Sequence, residues 1–310
     1  MSRIVVLGEL NPDLILANYN RFPEPGKEIV VEDCTLTLGS ASAICATALA
    51  KLGNDVRFIS QVGADFYGDF CLNLLRQAGI DVAHVEQTLE AKTGITVSIS
   101  SSLERALVTY PGTLNTFEAA QVTPASFPGF QHLHMASYFL QPRLRPQFGR
   151  LLRMASAEGL TTSLDPGFDP SAKWDGDWRE TLREVDVFFP NGVELEALTG
   201  EVDVERAVRG LSNGRTLTVA KLGAQGCLTV LGDRALRQPA FPVQAVDTTG
   251  AGDTFNAGFL DAWLQKMPLA ECLRRGAGCG ALSTLAPGIG SQPNPRQVRE
   301  FLNGHEAIFE

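Results

Sequence analysis

Apolar positions along the chain follow two alternating spacings. Short runs rich in β-branched residues at 3–7, 56–60 and 132–135 are each followed, at 41–52, 66–78 and 145–157, by stretches whose apolar residues recur every three or four positions. The first spacing predicts buried strands and the second predicts helices, so the chain reads as a βαβ series with a mainly parallel sheet flanked by helices. Further strands are expected at 161–164, 185–189 and 217–220, and further helices from Ala251, Leu269 and Pro295. Two segments break the rhythm: 28–38 and 93–110 are rich in Val, Ile and Thr and lack helical periodicity. They are expected as extra antiparallel strands of a small β lid, inserted at about 12–38 and 92–111. Such a lid would stand over the sheet's C-terminal edge, where open α/β sheets bind ligands, and would exclude water. No repeat, low-complexity tract or linker divides residues 1–310, which are expected to form one α/β domain.

Composition narrows the function classes. The 310 residues are 44% hydrophobic and 20% charged, as in a soluble globular protein. A formal charge of −9 works against a nucleic-acid surface. Six cysteines without C-x-x-C spacing read as reduced core residues of a cytoplasmic protein. The first apolar run, 4–7, is too short for a signal-peptide core, and later runs break well before the about 18 residues of a membrane span.

The candidate chemistry is concentrated in Asp247-Thr248-Thr249-Gly250-Ala251-Gly252-Asp253, which leads into an apolar helical pattern. Two glycines let the backbone approach a ligand, the helix N-terminus favours a multiply charged phosphate, and Asp253 could deprotonate a hydroxyl nucleophile. The alternative is an ordinary capped helix, with Thr249 or Asp247 as N-cap and Asp253 complementing the dipole.

The loop matches every position of the D-T-x-G-A-G-D signature of the ribokinase-like, or PfkB, carbohydrate kinases, which the chain resembles along nearly its whole length. Residues 39–53 look like that family's N-terminal glycine-rich helix, Asn191-Gly192-Val193-Glu194 like its N-x-x-E element, and Lys221-Leu222-Gly223-Ala224-Gln225-Gly226 like its nucleotide strand and turn. The resemblance implies an ATP-dependent, magnesium-dependent sugar kinase in which Asp253 is the general base and the Gly250, Ala251 and Gly252 amides form the anion hole. It also implies an ATP site at Asn191, Glu194, Lys221, Gly223 and Gly226, with Glu194 holding Mg²⁺ through water. Other readings stay open: Asn191 and Glu194 could be a capping box, Lys221 a solvated strand end, and the two glycines a hairpin turn. A monovalent cation such as K⁺ would take Asp247, Thr249, Ala286 and Gly290.

On the acceptor side the resemblance points to Asp13, Gly39, Ser40 and Ile44, with Arg105 and Asn115 as weaker contacts; an Asn-Pro-Asp turn is the alternative for Asp13. The chain departs from the family here. Glycine-glycine has become Gly39-Ser40, and a family asparagine has become Ile44. Ribose is therefore a poor default. Gly167 and Asp169 replace the asparagine and arginine of acidic keto-sugar kinases, which argues against a carboxylate-bearing sugar. A hexose or a nucleoside remains open as substrate, and a homodimer through lid strands is expected. The competing readings are a nucleoside kinase and a catalytically silent sugar-binding or regulatory protein of the same fold. His132 and His134 share a strand face without acidic company, and Gly276-Ala277-Gly278-Cys279-Gly280 lies in a helical pattern, where small residues permit close packing or leave room for a flat adenine.

Overall fold

Alternation along the first strand decides the layering, because successive side chains of a strand point to opposite faces. In the computed structural model, Ile4 and Val6 of β1 (Arg3–Leu7) enter one buried cluster, while Val5 and Leu7 enter another on the opposite face. The structure describes residues 1–19, 21–100 and 105–305, the side chains of Ser100 and Arg105 excepted.

The strands that follow are β2 (Pro12–Tyr19), β3 (Val31–Leu38), β4 (Asp55–Gly63), β5 (Asp81–Thr88), β6 (Ile95–Ser100) and β7 (Arg105–Tyr110). After them come β8 (His132–Met135), β9 (Thr161–Leu164), β10 (Val187–Phe188), β11 (Leu217–Lys221), β12 (Cys227–Leu231) and β13 (Arg234–Gln238). The helices are α1 (Ala41–Lys51), α2 (Phe66–Gln77), α3 (Phe148–Ala157), α4 (Trp178–Leu182), α5 (Gly192–Thr199), α6 (Val204–Gly210), α7 (Ala251–Leu264), α8 (Leu269–Ser283) and α9 (Pro295–Asn303).

Among the described residues the large sheet runs β13-β12-β11-β10-β9-β8-β1-β4-β5. From β11 to β5 every pairing is parallel, and only the β11–β12 and β12–β13 pairings are antiparallel. Helices α1, α2, α7 and α8 pack through Ala48, Leu72, Phe259 and Leu273 on the Ile4 side. Helices α3, α5 and α6 pack through Leu152, Leu195 and Val208 on the other. The glycines of α8 do permit close approach: a Cβ at Gly280 would stand 3.2 Å from the Ala251 carbonyl of α7.

A second sheet, β3-β2-β6-β7, gathers the segments that break the helical rhythm. It is not wholly antiparallel as expected, since β2 and β6 run parallel with Asp13 opposite Thr96. Strand β10 is shorter than predicted, and β5, β12 and β13 have no clear pattern in the sequence. Strands β5 and β13 mix half-buried with exposed positions, which dilutes the period-2 signal, whereas β12 is a short strand buried at Cys227, Leu228 and Thr229. Five of the cysteines are buried, but Cys34 is exposed on β3, which corrects its assignment to the core. No helix among the described residues is long and apolar enough to cross a membrane.

Candidate active site

Parallel strands point their C-terminal ends the same way, so the turns after β1, β8, β9, β10 and β11 emerge on one edge. Those turns and the start of α5 bring Glu9, Asp165 and Glu194, together with Lys221 at the end of β11, into the electrostatic surroundings of Asp253 in α7.

That N-terminus is built to stay open. Gly250 is the N-cap, in the left-handed region at φ 73°, and no side chain caps the helix. The Thr249 or Asp247 cap of the alternative reading is therefore not formed, although Asp253 does lie in the first turn of the helix. The Asp247 carboxylate instead accepts from the Thr249 N–H at 2.9 Å and from the Gly288 N–H at 3.1 Å, tying the turn to the loop before α9. Of the three anion-hole amides expected from the sequence, the Ala251 N–H is already engaged, donating to the Thr248 carbonyl at 3.2 Å. A Cβ on Gly250 would come within 2.8 Å of Ile44 Cγ2, so Ile44 packs beneath the turn.

Beside the turn lies an ionic cluster that sequence reasoning only partly found. Lys221 Nζ is 2.5 Å from Asp165 Oδ2, and Asn256 Nδ2 donates to the same oxygen at 2.7 Å. Lys221 is thus not a solvated strand end, and its ammonium, with three donors, can hold Asp165 and still offer an N–H to a phosphate. Burial opposes ionisation of Asp165, but the Lys221 charge and these hydrogen bonds hold its pKa below the usual value. Burial also works against the Lys221 ammonium, and the charges of Asp165, Glu194 and Asp253 outweigh it, so that its pKa is raised.

Asp253, half-buried, is different. Burial and then the charge of Asp165 push its pKa well above the ordinary carboxylate value, with Lys221 pulling the other way. Glu194 is pushed up to about 7, by burial first and then by Asp165. Four carboxylates, Glu9, Asp165, Glu194 and Asp253, thus share a buried region with one ammonium. Among the described residues no three His, Cys, Asp or Glu side chains are grouped to hold a metal ion, so Mg²⁺ there would rest on one or two carboxylates and keep several waters.

The Asn191–Glu194 capping box is present: Glu194 N–H donates to Asn191 Oδ1 at 2.9 Å, and Asn191 N–H donates to Glu194 Oε2 at 2.8 Å. One Glu194 oxygen is therefore committed to α5. The raised pKa gives a prediction. Because the folded pKa lies above the unfolded value of 4.5, the cost to the fold is absent below 4.5 and complete above about 7. Glu194→Gln, which keeps the capping geometry, is expected to raise the melting temperature at pH 8 by on the order of 3 °C while leaving it nearly unchanged at pH 4.5. Equal shifts at the two pH values in thermal denaturation would refute the assignment.

Gly223 and Gly226 belong to the turn joining β11 to β12. Both have positive φ, the Leu222 N–H donates to the Gly226 carbonyl at 2.8 Å, and a Cβ on Gly226 would stand 2.0 Å from the Gln238 carbonyl. The hairpin-turn alternative accounts for them.

On the acceptor side, Asp13 is in β2 and not in a turn, and it is buried. A Cβ on Gly39 would lie 2.0 Å from Asp13 Oδ1, so glycine is what lets that carboxylate approach. Ser40 caps α1: its hydroxyl accepts from the Ala43 N–H at 3.2 Å and donates to the Glu9 carbonyl at 2.9 Å. The Glu9 carboxylate accepts from the Ser42 hydroxyl at 2.7 Å and the Ser137 hydroxyl at 2.8 Å. Asn115 is exposed in a 3₁₀ turn, and the Arg105 side chain lies outside the described residues.

Of the oxygens expected around a monovalent cation, those of Asp247 and Thr249 are brought to the loop at 286–292. The two loop carbonyls expected there are engaged by side chains, Ala286 by the Ser291 hydroxyl at 3.1 Å and Gly290 by Lys51 Nζ at 3.5 Å. His132 and His134 share Ser163: its hydroxyl is 2.7 Å from His132 Nε2 and 2.7 Å from His134 Nδ1. They form a buried polar chain inside the sheet.

Sequence reasoning missed Glu9, Asp165 and Asn256 as members of the site. The signal available for the first two was position, immediately after a predicted strand; Asn256 lay in plain view one helical turn after Asp253.

An α/β sheet whose strand ends surround an open helix N-terminus, with a half-buried carboxylate in the first turn of that helix, is an arrangement suited to phosphoryl transfer. The sequence profile of the pfkB family carbohydrate kinases matches residues 1–296. A ribokinase of Haemophilus influenzae is 30% identical over 96% of this chain and 98% of its own. An ATP-dependent ribose-1-phosphate kinase of Halopiger xanaduensis is 30% identical over 98% of this chain and 99% of its own. The structure of Arabidopsis thaliana ribokinase complexed with ribose and ATP superposes with a TM-score of 0.84 at 25% identity, covering 97% of this chain and 99% of that one. The chain belongs to the pfkB family of carbohydrate kinases and is an ATP-dependent sugar kinase.

Proposed function

We propose that this kinase transfers the γ-phosphoryl group of ATP to a hydroxyl of an uncharged, sugar-like acceptor held between Asp13 and Asp253. The observation that carries the reading is Asp253 itself, a carboxylate with a raised pKa beside the uncapped N-terminus of α7. A base of raised pKa has more driving force for taking a hydroxyl proton, and the helix N-terminus offers N–H groups to the negative charge that develops on the phosphoryl oxygens. In this reading the Gly250 and Gly252 amides receive the phosphoryl group, and the Ala251 N–H exchanges the Thr248 carbonyl for it. Lys221 is the nearest cation, 3.4 Å from where a Gly252 Cβ would stand. Asn191, Glu194 and the Gly223–Gly226 turn border the nucleotide, with Glu194 holding Mg²⁺ through water. Mg²⁺ in that position would neutralise phosphate charge. The lid strands exclude water during transfer, and their exposed Leu107, Val108 and Tyr110 suit pairing with a second subunit.

Asp13, which lies against Gly39, bears on the acceptor, whereas both Glu9 oxygens are taken by Ser42 and Ser137. Buried carboxylates reward hydroxyl donors and repel anions. A neutral polyol therefore fits better than a phosphosugar such as the one named for the Halopiger relative. ATP consumption measured across pentoses, hexoses, ribose 1-phosphate and nucleosides tests this directly. Turnover is expected with neutral free sugars. Turnover confined to the phosphosugar would overturn the acceptor reading, and binding without turnover across the panel would point to the silent sugar-binding alternative.

A further inference from the structure

Lys51 lies in the last turn of α1, where a lysine ordinarily serves its own helix's C-terminal dipole. Here it reaches across to the loop before α9. Its Nζ is 3.2 Å from the Ile289 carbonyl, 3.5 Å from that of Gly290 and 3.5 Å from that of Gln292. Three backbone carbonyls turned towards one point need donors or a cation among them, and the ammonium of the exposed Lys51 supplies both, as an alkali ion supplies the charge in a carbonyl ring.

The loop so gathered touches the anion hole from two directions. Its Gly288 N–H donates to Asp247, whose other oxygen accepts from the Thr249 N–H. Its Gln292 side chain donates at 2.8 Å to the carbonyl of Ile44, the residue that packs under Gly250. Loop geometry and turn geometry are therefore linked through Asp247 and Ile44, and Lys51 contributes the positive charge on the loop's outer side.

We infer that Lys51 is a tethered monovalent cation: its ammonium orders the 286–292 loop, so that the Asp247–Gly252 turn keeps its shape with little help from dissolved potassium. The inference rests on the kinase reading for its catalytic consequence but not for its structural one. Lys51 is a positioning residue that acts through the loop, and it does not touch the reacting groups.

The test compares the intact protein with Lys51→Met and Lys51→Arg, in potassium and in tetramethylammonium at equal ionic strength. Without nucleotide, the melting temperature of the unsubstituted protein and of Lys51→Arg is expected to be the same in the two salts. That of Lys51→Met should rise by about 2–4 °C in potassium, which can then enter the vacated carbonyl site. In turnover assays, Lys51→Met should lose about tenfold in kcat in tetramethylammonium and recover it in potassium, with the KM for the acceptor unchanged. Lys51→Gln serves as a second uncharged variant if methionine disturbs the helix end. The inference is overturned if the uncharged variants show no salt-specific change in melting, or if the unsubstituted protein depends on potassium as strongly as they do. A protein that turns over no acceptor would defeat the kinase reading instead, and the melting comparison would still decide the role of Lys51.

Discussion

Asp253→Asn is expected to fold as the parent does and to lose about 10²–10⁴-fold in kcat. The substitution keeps size and polarity but removes the only function a base must have. It also removes a carboxylate whose ionisation is costly, because burial and the charge of Asp165 both disfavour it. The variant should therefore be at least as stable as the parent at pH 8, and its ATP affinity should be little changed. Opposite movements of activity and stability are what separate a base from a structural aspartate, whose loss would lower both. For the parent, kcat/KM should fall as the pH drops, with an apparent pKa above the ordinary carboxylate value of 3.8. A variant that retains near-normal turnover, measured by ADP release beside a thermal melt, would remove Asp253 from the mechanism.

Lys221→Met is the second change with a large expected effect, and it acts on stability as well as on rate. The pair it breaks is buried: the side chains are 12% and 5% exposed for Lys221 and Asp165. Removing one partner of such a pair leaves an uncompensated charge, at about 3–5 kcal/mol. Turnover should fall too, since the cation nearest the transfer loop is gone. Adding Asp165→Asn to Lys221→Met removes the stranded charge while keeping an oxygen that can accept from Asn256. The double variant should regain most of the lost stability in urea titrations without regaining activity. Equal stability of the single and double variants would mean that the ion pair contributes nothing, and recovered activity would mean that Lys221 does not act on the phosphates.

Much of the sheet was legible because its central strands are buried on both faces, which writes an apolar run into the sequence. The strands at 132–135 and 161–164 have the predicted bounds. The edge strands β5 and β13 were not legible, because strands with exposed positions carry too weak a pattern, and the five residues of β12 are too few to establish one. In the site, the two glycines and two aspartates of the 247–253 loop carried their chemistry in their spacing. Asn191 and Glu194 carried two meanings at once, and the capping box is realised in the structure. For Glu194, burial and the nearby Asp165 then set the raised pKa. Lys221 was readable as a cation but not as the partner of Asp165, which stands 56 residues earlier. Ile44 was readable as a departure in the acceptor motif, whereas its contact with Gly250 was not.

By itself the sequence determined the class of fold, the family and the position of the glycine-lined turn before α7, because each is encoded in periodicity or in spacing within about a dozen residues. The tertiary structure decided which carboxylates share a charge, which amides remain open and which lysine faces which oxygens. Those properties depend on burial and on distances between residues far apart in the chain. Electrostatic interaction changes steeply with both, and local sequence records neither.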